Sequence, residues 1–313
     1  MGYNSIYMDK QLFRVVVIGG GAMGCGIAAG FVCRGHEVSL LLRDAARAEA
    51  TRQQVMQQVS DMKPGVSSGL LSVRTMQSMQ ADDWHGVWLV IESVKEDLAL
   101  KQQLFGWLDA CVPPGVPIGS NSSGYPISRI AANLPTRSRM FGMHYFMPAH
   151  LVPLVEVVLG ADSDAQLAQR VCEMFTAIGK KPVLVKRDIP GFLANRIQHA
   201  LMREVLSLID EGIASPEDID LAVRYSFGFR YAAIGPVLQK EISGWDSTAN
   251  AAREIFPTLS NTAVLPDCLE RLLAEGKIGM KAGEGFVAWT PETAQATRAA
   301  YNERLVAALR LLE

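Results

Sequence analysis

The feature that most constrains the fold is the glycine-rich segment GGGAMG at 19–24, which directly follows a short β-branched apolar run at 14–18. Such a run predicts a buried parallel strand, and residues 22–34 predict a helix that ends before Gly35. A second apolar run at 37–42 predicts the next strand. Together these elements form a βαβ unit, so we expect a parallel sheet covered by helices.

In this setting the glycines match GxGxxG, the pattern that binds the pyrophosphate of a dinucleotide. Gly19 permits the tight turn, Gly21 lets the backbone approach the phosphates, and Gly24 allows the helix to pack closely on the strand. The helix, which includes Met23, offers backbone N–H groups and a positive dipole end. We therefore expect these four residues to bind a nicotinamide dinucleotide. A glycine-rich turn without a ligand is the alternative.

The end of the second strand bears on the choice of dinucleotide. An NAD site usually carries Asp or Glu there, hydrogen-bonded to the ribose 2′-hydroxyl, but here the position is Leu42. Arg43 follows and Arg47 lies one turn on, and guanidinium groups bind phosphate well. The pattern favours NADP over NAD. Because Asp44 would still reach the ribose if the strand ended one residue later, NAD stays open.

Strands and helices alternate as far as a turn signal at 188–191. Strands are predicted at 88–93, 140–146, 151–159 and 181–186, a strand followed by a loop at 116–123, and helices at 44–62, 97–110, 126–133 and 164–178. A long helix predicted at 192–213 then begins a segment without a strand pattern. We predict a Rossmann-type doubly wound α/β domain at 1–188, followed by an all-α domain at 189–313.

Composition narrows the class of protein. The 313 residues suit two domains, and a net charge of −2 gives no general attraction to nucleic acid or to an anionic membrane. No apolar run reaches the roughly 18 residues of a membrane span. Five scattered cysteines without a CxxC pair predict no disulfide framework and no metal site, as in a reducing cytoplasm. Residues 1–12 lack a signal-peptide core and are expected to be partly disordered or an added segment.

A histidine and a glutamate form the second candidate site. His144 lies in GMHYFMPAH, and Glu156 follows inside the apolar run VPLVEVVL. A carboxylate in such a run is costly to bury unless it is paired, and two adjacent strands would bring it to His144. The pair would give a base whose tautomer and orientation are fixed by the acid. The alternative is a satisfied core histidine and an unrelated edge glutamate.

Three longer segments, at 120–131, 139–158 and 188–220, together with GGGAMGCGIA, resemble the 3-hydroxyacyl-CoA dehydrogenase family. They stand in the family's order and spacing, and GKIGMKAGEGF at 276–286 is a looser match. The resemblance implies an NAD(P)-dependent oxidoreductase that acts on a CH–OH group. It also implies a homodimer formed through the C-terminal domain.

The resemblance implies roles for particular residues. His144, in the family's HxFxP motif, would take the hydroxyl proton, and Glu156 would orient its imidazole. Ser123 matches a serine that hydrogen-bonds the substrate oxygen. Asn195 matches an asparagine near the reacting carbonyl.

Two charged residues, Glu96 and Lys101, match positions that contact the nicotinamide ribose of the cofactor in relatives. The alternative is that they are ordinary charged residues at the start of a helix, without a contact to the cofactor. With the glycine turn and Arg43, they complete the predicted cofactor site.

The chain departs from the family's usual pattern at several places. Met147 stands where HxFNP has Asn, Gly124 where SNTSS has a serine, and FGFRYAAIGP at 227–236 where G-x-x-MGP is usual. The last segment is more similar to the branch that contains L-gulonate dehydrogenase (lambda-crystallin) and L-carnitine dehydrogenase. Within it, Arg230 is a candidate partner for a substrate carboxylate, or else an arginine that caps a helix.

The segment 45–87 bears on the substrate. In acyl-CoA enzymes it is a lysine-rich arm that contacts CoA phosphates, but here it contains a single lysine, Lys63. We therefore predict a small hydroxy acid or related carbonyl compound as the substrate rather than a CoA thioester. The alternatives are a 3-hydroxyacyl-CoA dehydrogenase, a ketopantoate-reductase-like enzyme, and a non-catalytic crystallin-like or NAD(P)H-binding protein.

Overall fold

The computed structural model of the protein describes residues 12–312 and divides into two compact units, the first ending at Asn195 and the second beginning at Arg196. The first unit contains all the named strands and the second only helices. The predicted fold class, an α/β part followed by an all-α part, is confirmed. The domain boundary at residue 188 stays a prediction. Residues 1–11 lie outside the described part, so the expectation for them is untested.

A sheet of eight strands forms the centre of the first unit. In chain order the strands are β1 Arg14–Ile18, β2 Glu37–Leu42, β3 Leu71–Thr75, β4 Val87–Glu92, β5 Ile118–Ser120, β6 Met140–Tyr145, β7 Leu154–Leu159 and β8 Lys181–Val185. Their spatial order is β3-β2-β1-β4-β5-β6-β7-β8. Neighbours pair in parallel except β6 and β7, which are antiparallel.

The edge strand β3 is the one strand that the sequence does not predict. It pairs in parallel with β2, but only Leu71 of its five residues is fully buried. An edge strand of this kind lacks the continuous apolar run that marks β1 or β4. A Pro/Gly/Ser patch at 63–69 further masks it. The other seven strands match the predicted ones, with ends that differ by a few residues at most.

The sheet carries a separate apolar core on each face, because successive side chains of a strand point to opposite sides. Val15 and Val17 of β1 belong to one core, together with residues of the first helix. Val16 and Ile18 belong to the other, together with residues of the third helix. Helices on both faces make the fold doubly wound, as predicted. The helices of this unit are α1 Ala22–Val32, α2 Ala48–Met62, α3 Leu98–Cys111, α4 Ile127–Ile130 and α5 Ala165–Ala177.

The rest of the described chain consists of helices and connecting loops, the longest of which, at 275–290, contains two isolated β-bridges. Ser215 begins one of these helices, since its hydroxyl accepts the backbone N–H of Asp218 at 3.1 Å and Pro216 occupies the first turn. None of the helices within residues 12–312 is long and apolar enough to span a membrane. The remaining helices are α6 Ala194–Asp210, α7 Pro216–Tyr225, α8 Phe227–Ala233, α9 Pro236–Ser243, α10 Trp245–Ile255, α11 Asp267–Ala274 and α12 Pro291–Leu309.

Candidate active site

The glycine turn between β1 and α1 has the geometry that a dinucleotide requires. Gly19 has φ +112°, a conformation that favours glycine, and a Cβ on Gly24 would overlap the carbonyl oxygen of Gly19. A Cβ on Gly21 would meet no described atom within 4 Å. Gly21 therefore faces open space, where a side chain would take the room of a phosphate. This cradle fits the pyrophosphate of a nicotinamide dinucleotide.

A cleft of about 1030 Å³ opens at this turn. Its walls comprise the glycine turn with Met23, residues 93–96, one side of α3, and the side chains of Asn121 and Ser123. It lies beyond the carboxyl ends of β1, β4 and β5, where open α/β sheets bind ligands. The cleft thus brings together the predicted glycine site, Glu96 and Ser123.

The residues after β2 line the same cleft. The strand ends at Leu42, whose side chain packs against the backbone of Gly20. Arg43 and Arg47 are exposed at the cleft, and Asp44 uses one carboxylate oxygen to accept the backbone N–H of Ala46 at 2.9 Å. The structure therefore has an apolar side chain at the end of the strand, and both arginines and Asp44 beside it.

His144 and Glu156 face each other across the antiparallel pair β6–β7. The imidazole Nδ1 lies 2.7 Å from Glu156 Oε2, and both side chains are buried. Glu156 Oε1 accepts two further hydrogen bonds, from the backbone N–H groups of Leu193 at 3.0 Å and Ala194 at 2.8 Å. The predicted contact between the two side chains is present, and the carboxylate is held by donors on both oxygens.

These contacts set the charge of Glu156 and the orientation of the imidazole. Burial raises the pKa of Glu156, but the hydrogen bonds from His144 and from the Ala194 and Leu193 backbone outweigh it, so the pKa lies below its usual value. An ionised Glu156 holds the imidazole by Nδ1, which leaves Nε2 as the ring nitrogen for a substrate. The rings of Phe146 and Phe192 lie 4.5 and 5.5 Å from the imidazole, between ring centroids.

Phe192 is a site residue that the sequence does not single out. Its φ is +47°, a strained conformation for a bulky residue, and its side chain is buried. The two N–H groups that bind Glu156 come directly after it along the chain, on Leu193 and Ala194. The strained residue therefore stands where the backbone turns its amides toward the carboxylate. The sequence signal that could have found this residue is the PGF segment at 190–192, which ends in Phe192.

The other predicted residues have different surroundings. Asn121, two residues before Ser123, accepts the backbone N–H of Tyr145 at 2.8 Å, so the loop of Ser123 is tied to the strand of His144. Asn195 follows Ala194 at the start of α6 and is half-buried. Arg230 lies in α8 of the second unit and is exposed. The roles of Ser123, Asn195 and Arg230 stay predictions.

Glu96 and Lys101 have opposite exposures. Glu96 lines the cleft, whereas Lys101 is 1% exposed and lies 2.7 Å from Glu92 Oε1. Burial raises the pKa of Glu96, but hydrogen bonds from Ser122 and Gly124 and the nearby Lys101 bring it below its usual value. Lys101 therefore stands behind the cleft wall, and its predicted cofactor contact stays untested.

Comparison with known proteins settles the family. The model for the NAD-binding domain of 3-hydroxyacyl-CoA dehydrogenase matches residues 14–189, and the model for the C-terminal domain matches residues 191–289. The chain belongs to the 3-hydroxyacyl-CoA dehydrogenase family. As a member of this family, the protein is an NAD-dependent dehydrogenase that acts on a hydroxyl group.

Its relatives within the family include enzymes of different names. The chain is 34% identical over 307 residues to 5-formyl-3-hydroxy-2-methylpyridine 4-carboxylate 5-dehydrogenase of Mesorhizobium japonicum, covering 96% of this chain and 98% of the relative. It is 33% identical to L-carnitine dehydrogenase of Nocardiopsis dassonvillei, covering 100% and 95%. The predicted similarity to the L-carnitine dehydrogenase branch is confirmed.

Solved structures of the family agree with this fold. A crystal structure of 5-formyl-3-hydroxy-2-methylpyridine 4-carboxylic acid 5-dehydrogenase, described as an NAD⁺-dependent dismutase, matches with a TM-score of 0.88 at 30% identity, covering 96% of this chain and 99% of that one. The (S)-3-hydroxybutyryl-CoA dehydrogenase of Ralstonia eutropha matches with a TM-score of 0.71 at 27% identity, covering 90% and 100%.

A buried lysine in this dehydrogenase supports the connection between β6 and β7. Lys180 Nζ donates to the carbonyl oxygens of Ala149 at 2.7 Å and Val152 at 2.8 Å, and lies 5.7 Å from the centre of the Tyr145 ring. Burial, followed by the nearby Arg34, lowers the pKa of Lys180 to about 7. The sequence around Lys180, directly before β8, does not indicate that this side chain is buried. The two carbonyl groups that it binds belong to residues about 30 positions earlier in the chain.

Lys180 should make stability depend on pH. Below pH 7 the amino group of Lys180 is protonated in both the folded and the unfolded state, so the folded state bears the full cost of burying the charge. Between pH 7 and 10.5 only the unfolded state keeps the proton, and this cost is relieved. Relative to Lys180→Met, the wild-type free energy of unfolding should rise by about 2 kcal/mol from pH 7 to 9, measured by urea denaturation. In the control Lys181→Met, which replaces the exposed neighbour, the free energy of unfolding should vary with pH as in the wild type. If the free energy of unfolding of Lys180→Met also varied with pH as in the wild type, the prediction would be contradicted.

Proposed function

We propose that the protein transfers a hydride between a nicotinamide dinucleotide and the hydroxyl or carbonyl group of a small hydroxy acid or related compound that is not a CoA thioester. The observation that carries the proposal is the buried His144–Glu156 pair, with Nδ1 held at 2.7 Å, in the unit whose glycine turn fits a dinucleotide. A protein that only binds the dinucleotide has no need of such a pair.

The residues of the first unit account for the proton in this reaction. The dinucleotide, when bound, accepts the hydride from the carbinol carbon or returns it to the carbonyl. His144 Nε2 takes the hydroxyl proton in oxidation and returns it in reduction. Glu156 stabilises the imidazolium that forms, because its carboxylate lies against Nδ1. Ser123 and Asn195 would hold the substrate oxygen by hydrogen bonds.

Two observations favour a substrate without CoA. The similar enzymes of Mesorhizobium and Nocardiopsis are named for a pyridine carboxylate and for L-carnitine. In addition, residues 45–87 contain a single lysine, whereas the several phosphate charges of CoA usually need a basic surface. Arg230 would pair with a carboxylate on such a substrate.

A substrate panel tests this function. Small hydroxy acids, their keto acids, L-carnitine, pyridine carboxylate alcohols and aldehydes, and short acyl-CoAs are assayed with NAD and NADP in both directions. We expect the largest kcat/KM on a small carboxylate. A larger kcat/KM on acetoacetyl-CoA would instead identify a 3-hydroxyacyl-CoA dehydrogenase. NADH binding without turnover of any compound would favour a non-catalytic binding protein.

We further propose that the cleft accepts NADP as well as NAD. The support is Leu42 in place of an acid, with Arg43 and Arg47 exposed at the cleft where a 2′-phosphate would lie. The NAD⁺-dependent relative supports NAD, which Asp44 could bind by its second carboxylate oxygen.

Arginine variants distinguish the two cofactors. Arg43→Ala and Arg47→Ala should each raise KM for NADPH about tenfold, the equivalent of one lost charge-assisted contact, and leave KM for NADH unchanged. Arg52→Ala serves as the control, because Arg52 lies in the following helix α2 and is bonded to the backbone of Ser68 and Leu71. A strong NADH preference in the wild type, unaltered by these substitutions, would refute the proposal.

We also propose a homodimer formed through the second unit, in a reducing cytoplasm. Many large apolar side chains of this unit are exposed, among them Phe229, Val237 and Ile242, and a second copy would cover such a surface. The five cysteines are all free, as expected in a reducing compartment. Light scattering after size-exclusion chromatography tests the dimer, and a monomeric mass at micromolar concentration would exclude it.

A further inference from the structure

A buried ion pair lies behind the wall of the dinucleotide cleft. Glu92, the last residue of β4, is fully buried, and its Oε1 accepts hydrogen bonds from Lys101 Nζ and from the backbone N–H of Val94, both at 2.7 Å. Its Oε2 accepts the hydroxyl of Ser120, also at 2.7 Å. Neither Glu92 nor Lys101 is among the described residues that line the cleft. Glu92 therefore has no direct contact with the cleft and reaches it through its hydrogen-bonded neighbours.

The hydrogen bonds continue from this pair to the cleft wall. Lys101 Nζ lies 3.4 Å from Glu96 Oε2. Glu96 Oε1 accepts the hydroxyl of Ser122 and the backbone N–H of Gly124, the latter at 3.0 Å. Ser120 Oγ accepts the backbone N–H of Ser122 at 3.2 Å. These bonds form a closed circuit that joins the end of β4, the first turn of α3 and the loop after β5.

Residues of the loop after β5 alternate between this circuit and the lining of the cleft. Ser120 and Ser122 are 1% and 2% exposed and belong to the circuit. Asn121 and Ser123 line the cleft, and Asn121 also accepts the backbone N–H of Tyr145 in β6. Because the two sets share one backbone, the bonds on the buried side fix where the cleft-facing side chains lie.

A buried ion pair is a poor means of stabilising a fold, since two charges lose their hydration and an apolar pair of similar size often serves as well. We propose that Glu92 is a positioning residue, which acts through Lys101 and Ser120 to fix Glu96, Asn121 and Ser123 in the cleft wall and so sets the affinity for the dinucleotide. The proposal rests on the cleft being the dinucleotide site, as proposed above, and is independent of which substrate is turned over.

The test measures NADH binding directly, by isothermal titration, in the full-length protein. Glu92→Gln keeps the shape but leaves Lys101 without its buried counter-charge, and should raise the Kd for NADH about ten- to a hundredfold, the equivalent of one lost charge-assisted hydrogen bond. Ser120→Ala removes only the hydroxyl that links Glu92 to Ser122, and should raise the Kd by a smaller factor. In the double variant Glu92→Gln/Ser120→Ala, the Kd for NADH should rise by less than the product of the two single increases, because both substitutions act through one circuit.

Leu89→Ala is the matched control. Leu89 is buried on the opposite face of β4, in the other core, so this variant loses stability without touching the circuit. Its Kd for NADH should equal that of the wild type. Wild-type binding by Glu92→Gln, or the same weakening in Leu89→Ala at equal loss of stability, would overturn the proposal.

If Glu92→Gln does not fold, Ser120→Ala with unchanged affinity would overturn the proposal alone. A wild-type protein that binds NADH but turns over no substrate would contradict the proposed reaction and leave this test intact. A wild-type protein that binds neither NADH nor NADPH would overturn both.

Discussion

We expect His144→Ala to lower kcat by about three orders of magnitude while the Kd for NADH stays within a factor of about two. In the proposed reaction the imidazole exchanges a proton with the substrate through Nε2, since Glu156 occupies Nδ1. It is not among the described residues that line the dinucleotide cleft, so cofactor binding should not depend on it. Stopped-flow measurement of hydride transfer and titration with NADH give the two quantities separately.

His85→Ala is the matched control for this experiment. His85 is an exposed histidine of the same unit, whose backbone carbonyl accepts a bond from Arg14. Its replacement removes an imidazole without touching the pair, so kcat should not change. If His144→Ala lost NADH affinity in proportion to kcat, the histidine would be a structural residue. An unchanged kcat would remove it from the mechanism.

The second large effect concerns Glu156, where two substitutions separate its charge from its hydrogen bonds. Glu156→Ala removes the acceptor of three donors, on His144, Leu193 and Ala194, and leaves the imidazole buried without its partner, so it should lower the free energy of unfolding by about 4 kcal/mol. Glu156→Gln keeps an oxygen for the two backbone donors and should lose about half as much. Both should lower kcat by about two to four orders of magnitude, since neither stabilises the imidazolium.

The stabilising effect of Glu156 should also depend on pH. Its pKa in the folded state lies below the usual value of 4.5, so the stability it contributes is complete above that value. This stability is lost as the pH falls from 4.5 through the folded-state pKa, because in this range the unfolded state binds a proton that the folded carboxylate does not. The gap in unfolding free energy between the wild type and Glu156→Gln should therefore narrow below pH 4.5. A gap that stays constant from pH 7 to pH 3 would contradict an ionised Glu156.

The sequence predicts the parts of the site that depend on short-range pattern. The GxGxxG turn follows a strand and begins a helix, and the apolar run around Glu156 requires a partner, which two neighbouring strands supply. These inferences succeed because alternation and turn chemistry are local properties. The same reasoning places seven of the eight strands and fails at β3, where an edge position leaves a pattern that is mostly polar.

The residues that the sequence does not place depend on long-range packing. Nothing local indicates that Lys101 faces away from the cleft to meet Glu92, or that Ser122 and not Ser123 binds Glu96. Lys180 similarly reaches carbonyls about 30 residues away. A charged residue at a helix start or a strand start is usually solvated, and only the packing of several elements buries it.

The antiparallel register of β6 and β7 has a consequence for how such enzymes diversify. His144 and Glu156 are direct cross-strand partners, so main-chain bonds of the sheet set their spacing, and the connection at 146–153 does not. Residues can be gained or lost in that connection without separating the two side chains, whereas a slip of one position would put one of them on the wrong face. Under the proposed mechanism, this cross-strand pair can stay constant while the surrounding loops change their ligands, so that new substrates arise without new chemistry.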